Sequence, residues 1–128
     1  MTFFFDNNLS PHLAAFLANL GYEVKHLREL YPPPFNVKDI EWIPEIAAKG
    51  WITLTQDIAI TRNAEEKKAL NESGATVLFI ERFYGNRTAL QQAAWLLSHW
   101  KEIMEQAELL AKGSLRKIKE NGTLTHRL

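Results

Sequence analysis

The hydrophobic positions of this chain fall into short unbroken runs separated by longer stretches of helical period. Two of the runs share a grammar. Thr2 to Asp6 reads TFFFD and Trp51 to Asp57 reads WITLTQD, strand-forming residues that stop at an acid. Runs apolar at nearly every position, not every second one, predict strands covered on both faces, as in a parallel sheet between helices. Ala75 to Ile80 (ATVLFI) has the same character and is followed by Glu81. Tyr22 to Leu27 alternates enough to be another strand.

Helical patterns lie between these runs. Ser10-Pro11 is a start signal, a capping hydroxyl followed by proline at the first helical position, and Leu13, Phe16, Leu17 and Leu20 follow at helical spacing up to Gly21. Strand, helix and strand joined this closely predict a right-handed βαβ unit. Tyr31 to Asn36 (YPPPFN) predicts a stiff loop, because consecutive prolines remove backbone donors. Asn36 is placed to cap the next helix, with Asp39 near its first turn and Ile40, Ile43, Ile46 and Ala47 on one face. Pro44 inside that face predicts a kink or a break. A charge-rich helix containing Asn63 to Leu70 ends at Gly74, and a long one runs from about Thr88 to Ala111 before Gly113. Asn121-Gly122 signals a hairpin. The order βαβαβαβα plus a short strand or hairpin predicts a three-layer α/β/α sandwich with a mainly parallel sheet.

Composition narrows the class. With 128 residues, 46% of them hydrophobic and 23% charged, the chain fits a single domain, 1–128, with a sizeable core. It has no cysteine, which excludes disulfides, thiolate metal sites and cysteine nucleophiles. No signal-peptide pattern and no long apolar span occurs, so a soluble cytoplasmic protein is expected. Net charge is zero, but five of the fifteen basic residues (Lys112, Arg116, Lys117, Lys119 and Arg127) follow Leu110 against the single acid Glu120. An acidic body with a basic tail fits a cation site beside a surface for a polyanion.

The strand-terminal acids carry the chemistry. Asp6 and Asp57 end buried parallel strands, and open α/β sheets bind ligands at the carboxyl ends of their strands. Asp39 begins the helix between the second and third strands. Three converging carboxylates raise one another's pKa or recruit a cation, and hard oxygen donors select Mg2+ or Mn2+. Each acid also has a plainer use: Asp39 as a helix cap, Asp6 in the turn to Pro11, Asp57 in closing a loop. His12, His26, His99 and His126 show no ligand spacing, and no glycine-rich phosphate loop or nucleophile elbow is present.

Asp6-Asn-Asn8-Leu-Ser-Pro11, then Asp39, then Thr55-Gln-Asp57, resembles the PIN-like domains of bacterial ribonucleases, including toxins of toxin–antitoxin pairs. The resemblance extends over essentially the whole chain, including the basic terminal strand. It implies catalytic, metal-binding roles for Asp6, Asp39 and Asp57, with Asn8 and Thr55 orienting them or meeting phosphate. It also implies Mg2+ or Mn2+ as cofactor, RNA as substrate and an antitoxin protein as partner. Arg62 and Asn63, just past the third strand, are candidates for holding RNA phosphate. Many relatives carry another acid where this chain has Ala59, so Glu41, Glu45 or Glu81 is a candidate replacement. A degenerate module that binds RNA or protein without cleaving is the alternative. A phospho-receiver is disfavoured, since the fourth strand ends Phe79-Ile80-Glu81 without a hydroxyl residue. Trp51, Trp95 and Trp100 are expected in the core or an interface, and the broadly apolar long helix suits a homodimer or another partner.

Overall fold

A computed structural model describes residues 1–128. Its strands are β1 (Phe3–Phe5), β2 (Val24–His26), β3 (Ile52–Thr55), β4 (Thr76–Ile80) and β5 (Leu115–Ile118), and its helices are α1 (Pro11–Asn19), α2 (Leu27–Leu30), α3 (Asp39–Ala48), α4 (Ala64–Ser73) and α5 (Ala89–Ala107). Short 3-10 turns cover Ile58–Thr61 and Tyr84–Asn86. The five strands form one sheet in the order β2-β1-β3-β4-β5, every pairing parallel.

Alternation along β1 divides the interior. Phe3 and Phe5 face a core with α1 and α5, where both rings meet the edge of Trp100. Phe4 faces the other core, against Trp42 and the buried Ile43 and Ile46 of α3. This is the three-layer α/β/α sandwich that the runs predict: a strand with cores on both faces must be apolar at consecutive positions. Trp95 and Trp100 of α5 are buried core residues, so much of that helix's apolar surface is spent on the sheet.

Several boundaries differ from the sequence expectation. α3 is capped at Lys38 with no side-chain bond, and Asn36 is exposed and uninvolved. α3 also continues through Pro44, since Trp42, Ile43, Ile46 and Ala47 are buried on both sides of the proline. Packing of that face outweighs one missing backbone bond. α5 ends at Ala107, its last buried residue, because the chain must turn to place Leu115 opposite Val77. The one-turn α2 was not anticipated; it is capped by His26 in a reciprocal box with Glu29, a role usually taken by serine or threonine.

The terminal segment is part of the sheet. Beyond β5, Gly122 in a left-handed backbone conformation returns Leu124 antiparallel to Ile118, as the Asn-Gly pair predicts. A Cβ at Gly122 would lie 2.5 Å from the His99 ring, so the turn also fits closely against α5. No helix is long and apolar enough to cross a membrane.

A candidate acidic site at the sheet switch point

β1 and β3 lie side by side, with Phe5 opposite Leu54, and their following residues emerge together at the carboxyl edge. From β1 the chain crosses to β2 on one side, whereas β3, β4 and β5 extend on the other. The winding reverses between β1 and β3, and at such a point the loops diverge and leave a crevice. Asp6 and Asp57 both line it, joined by Asp39 from the start of α3, in a cleft of about 350 Å3. Asn7 and Asn8 add polar groups; Leu27, Phe35, Val37 and Trp42 form an apolar wall.

Thr55, the last residue of β3, fixes the two strand-end acids relative to each other. Its hydroxyl is fully buried, donates to Asp6 Oδ2 at 2.9 Å, and accepts from the Asp57 backbone N–H at 3.0 Å. Asn8 locks the two loops: its Nδ2 donates to Asp6 Oδ2 (3.3 Å) and Thr55 Oγ1 (3.1 Å), while its Oδ1 accepts from the Gln56 N–H (3.2 Å). The Asp6 carboxylate also accepts from the Asn7 N–H. Asp39 is aimed by its own helix, since its Oδ1 accepts from Trp42 Nε1 three residues on at 2.8 Å. Asp57 also serves as a cap, its Oδ1 accepting from the Ala59 N–H at 3.1 Å. The capping contact leaves it lining the crevice.

A fourth acid, Glu66, faces this group from the first turn of α4. It shares a surface depression with Asp39, and the fields of Asp39, Asp57 and Asp6 all act on its carboxyl. The sequence shows Asn63 and Glu66 three apart, an ordinary helix-start signature. Asn63 does cap α4, accepting from the Glu66 N–H at 3.0 Å. Only the packing of α4 against α3 brings Glu66 to Asp39, and periodicity carries no signal for that. Glu45 is instead engaged by the Tyr31 hydroxyl, Glu41 is exposed on α3, and Glu81 lines a neighbouring cleft. Arg62 lies in that neighbouring cleft too.

Crowding is visible in the electrostatics. Asp6, 5% exposed, is pushed up to about 6, chiefly by loss of solvent. The Thr55 and Asn7 hydrogen bonds oppose the shift, and Asp39 and Asp57 add to it. Asp57 is raised by burial and then by Asp39. Glu66 is raised by burial and then by Asp39, through repulsion and a shared hydrogen bond. Three carboxyl groups line this cleft, and Glu66 lies beside Asp39 in the adjoining depression, which Lys38 also lines. Arg28 stands at the rim, donating to Asn7 Oδ1 at 3.0 Å and lying over the Phe35 ring. Acids in excess of cations suit a hard divalent ion. The arrangement is open: no three His, Asp or Glu side chains are close enough to enclose one ion.

Together, the doubly wound sheet and the acids at its switch point define a class. The chain belongs to the PIN-like domain family: the pattern of that family, described as a PIN like domain, matches residues 1–82. The match covers β1 to β4 and both strand-end acids, and it stops short of α5 and β5, over which the sequence resemblance also extends. Among curated proteins, "Putative ribonuclease VapC45" of Mycobacterium tuberculosis is 32% identical over 68 residues. That alignment takes in 52% of this chain and 49% of the relative, so it spans about half the length of each. No solved structure matches the chain.

Proposed function

We propose that this protein is a divalent-cation-dependent ribonuclease that hydrolyses RNA phosphodiester bonds in the cytoplasm as the toxin of a toxin–antitoxin pair. The observation that carries this reading is the gathering of Asp6, Asp39 and Asp57, with Glu66, around the crevice between β1 and β3. Family membership and the name of the half-length relative support it.

Asp6, Asp39 and Asp57 are the residues that would hold Mg2+ or Mn2+, and Glu66 takes the place of the acid missing at Ala59. The bound ion supplies Lewis acidity, acidifying water and offsetting charge on the phosphoryl oxygens. The chain's own residues hold the carboxylates in place: Thr55 spaces Asp6 from Asp57, Asn8 ties the two loops, and Trp42 steers Asp39. Thr55 and Asn8 therefore act as positioning residues.

Two features favour the alternative of a binding module without cleavage, namely Ala59 and the open spacing of the acids. RNA cleavage by purified protein across Mg2+ and Mn2+ concentrations, with chelator controls, separates the two. The ribonuclease reading predicts metal-dependent cleavage that is lost in Asp6→Asn and Asp57→Asn. Cleavage that survives chelator contradicts the metal mechanism, and no cleavage under any metal favours the binding module.

A further inference from the structure

A second, larger cleft of about 640 Å3 opens beyond the same carboxyl edge, over β4 and β5. Three cations reach it from separate parts of the chain: Arg62 after the 3-10 turn, Arg82 after β4 and Lys117 from β5. None makes an ion pair, and no side-chain hydrogen bond engages them; the ion pairs of the chain are Met1–Glu23, Lys68–Glu72 and Arg87–Glu120. Two acids share the cleft. Glu120 is held by Arg87 at 2.7 Å, which leaves Glu81 as its one unpaired acid. Free cations outnumber free acids here, beside a crevice built of acids.

The two clefts are joined through consecutive residues. Asp57 lines the acidic crevice and Gln56 lines the basic one, with Gln56 Nε2 tied to the Asn8 carbonyl at 2.8 Å as a ridge between them. A strand that leaves the acidic crevice past Asp57 meets, across Gln56, the cleft that Arg82 and Lys117 line. We infer that the Arg62, Arg82 and Lys117 cleft is the track along which the phosphate backbone of a single-stranded RNA runs away from the carboxylates. The choice of RNA rests on the ribonuclease reading; the charge and position of the cleft do not. The track implies a single strand because Asp6 is sunk in its crevice, where a phosphodiester must enter. Its cationic contacts are to phosphate, so affinity depends on salt more than on base sequence.

The test is binding of a fluorescent single-stranded RNA of about 12 nucleotides, within the span of comparable single-strand sites. Anisotropy is measured in chelator across a salt series, with thermal melts of each variant as a folding control. Arg82→Gln with Lys117→Gln should make the slope of log affinity on log salt shallower by about 1.4, since each single-strand phosphate contact contributes about 0.7. Glu81→Gln should tighten binding, a direction that damaged folding cannot imitate. An unchanged slope in the double variant, or weaker binding by Glu81→Gln, overturns the track. Equal affinity for a glutamate-rich peptide of the same charge also overturns it, in favour of an acidic protein segment. If wild type cleaves no RNA under any metal but the slope and the Glu81→Gln effect appear, the ribonuclease reading fails and the RNA track stands.

Discussion

The two clefts at the carboxyl edge are built in opposite ways. In the acidic one Asp6 is buried at the end of β1 and Asp39 and Asp57 are half-buried, and hydrogen bonds from Thr55, Asn8 and Trp42 position Asp6 and Asp39. In the basic one Arg62 and Arg82 are exposed, Lys117 is half-buried, and no ion pair or side-chain bond fixes any of the three. Buried carboxylates must be held rigidly, because each is costly to desolvate and repels its neighbours. Solvated cations facing a flexible polyanion need only be present in sufficient number. The first region should therefore fail sharply on single substitutions, and the second should weaken in proportion to the charge removed.

Replacing Asp6 or Asp57 by asparagine should give the largest effect. Partners outside a metal's immediate shell typically contribute about 10- to 100-fold to affinity or activity, so loss of a direct ligand should reduce cleavage by on the order of 100-fold or more. Steady-state cleavage at saturating Mn2+ checks this. RNA binding should persist in both variants, and its loss would show that the two clefts are not separable.

Thr55→Val should come next. It keeps the shape but strips a donor from Asp6, leaves the Asp57 N–H without its acceptor and leaves the Asn8 amide only Asp6, at a cost of about 2 kcal/mol in stability. Chemical denaturation measures it. An unchanged midpoint would mean that water replaces the hydroxyl and that the acids are less rigidly held than the network implies.

Glu66→Gln should lower Mn2+ affinity by roughly tenfold, the loss of one charge from a shared group. Ala59→Asp in that background should restore part of it. If Glu66→Gln leaves affinity unchanged, the fourth acid is a bystander.

The smallest effect is one of stability. In the metal-free protein the Asp6 carboxyl titrates at about 6 against an ordinary 3.8, so between those values the folded chain binds more protons than the unfolded one. Stability therefore falls as pH rises through that window, and above about 6 the full penalty is present, at most about 3 kcal/mol for a shift near two units. Asp6→Asn removes the charge but also an acceptor, so the metal-free variant should gain about 1 kcal/mol at neutral pH, with little gain below pH 4. Thermal melts in chelator across pH check this. A variant that destroys activity while raising stability separates a functional acid from a structural one.

How much of this was legible in the sequence follows from the same contrast. Consecutive apolar residues in TFFFD and WITLTQ gave the buried parallel strands, and the acids that ended them marked the crevice, because strand polarity carries both to one edge. Pro44 does not break α3, since local backbone chemistry is outweighed by the burial of Trp42, Ile43 and Ile46. Asn36 misled for a related reason: capping side chains are interchangeable with solvent, and α3 begins without one. Glu66 was invisible because its role comes from the packing of α4 on α3 and not from its own helix. The basic terminal strand was legible too, and β5 carries Lys117 opposite Phe79; what its charge pattern could not show is that the same cleft also takes in Arg62 and Arg82.

The central claim is that Asp6, Asp39, Asp57 and Glu66 form one divalent-cation site. A calorimetric titration of the purified protein with Mn2+ in the absence of RNA tests it most directly. The account predicts saturable binding by the wild type, abolished in Asp6→Asn and in Asp57→Asn and weakened in Glu66→Gln. Binding that is equal in wild type and both aspartate variants, or no saturable binding by the wild type, would contradict it.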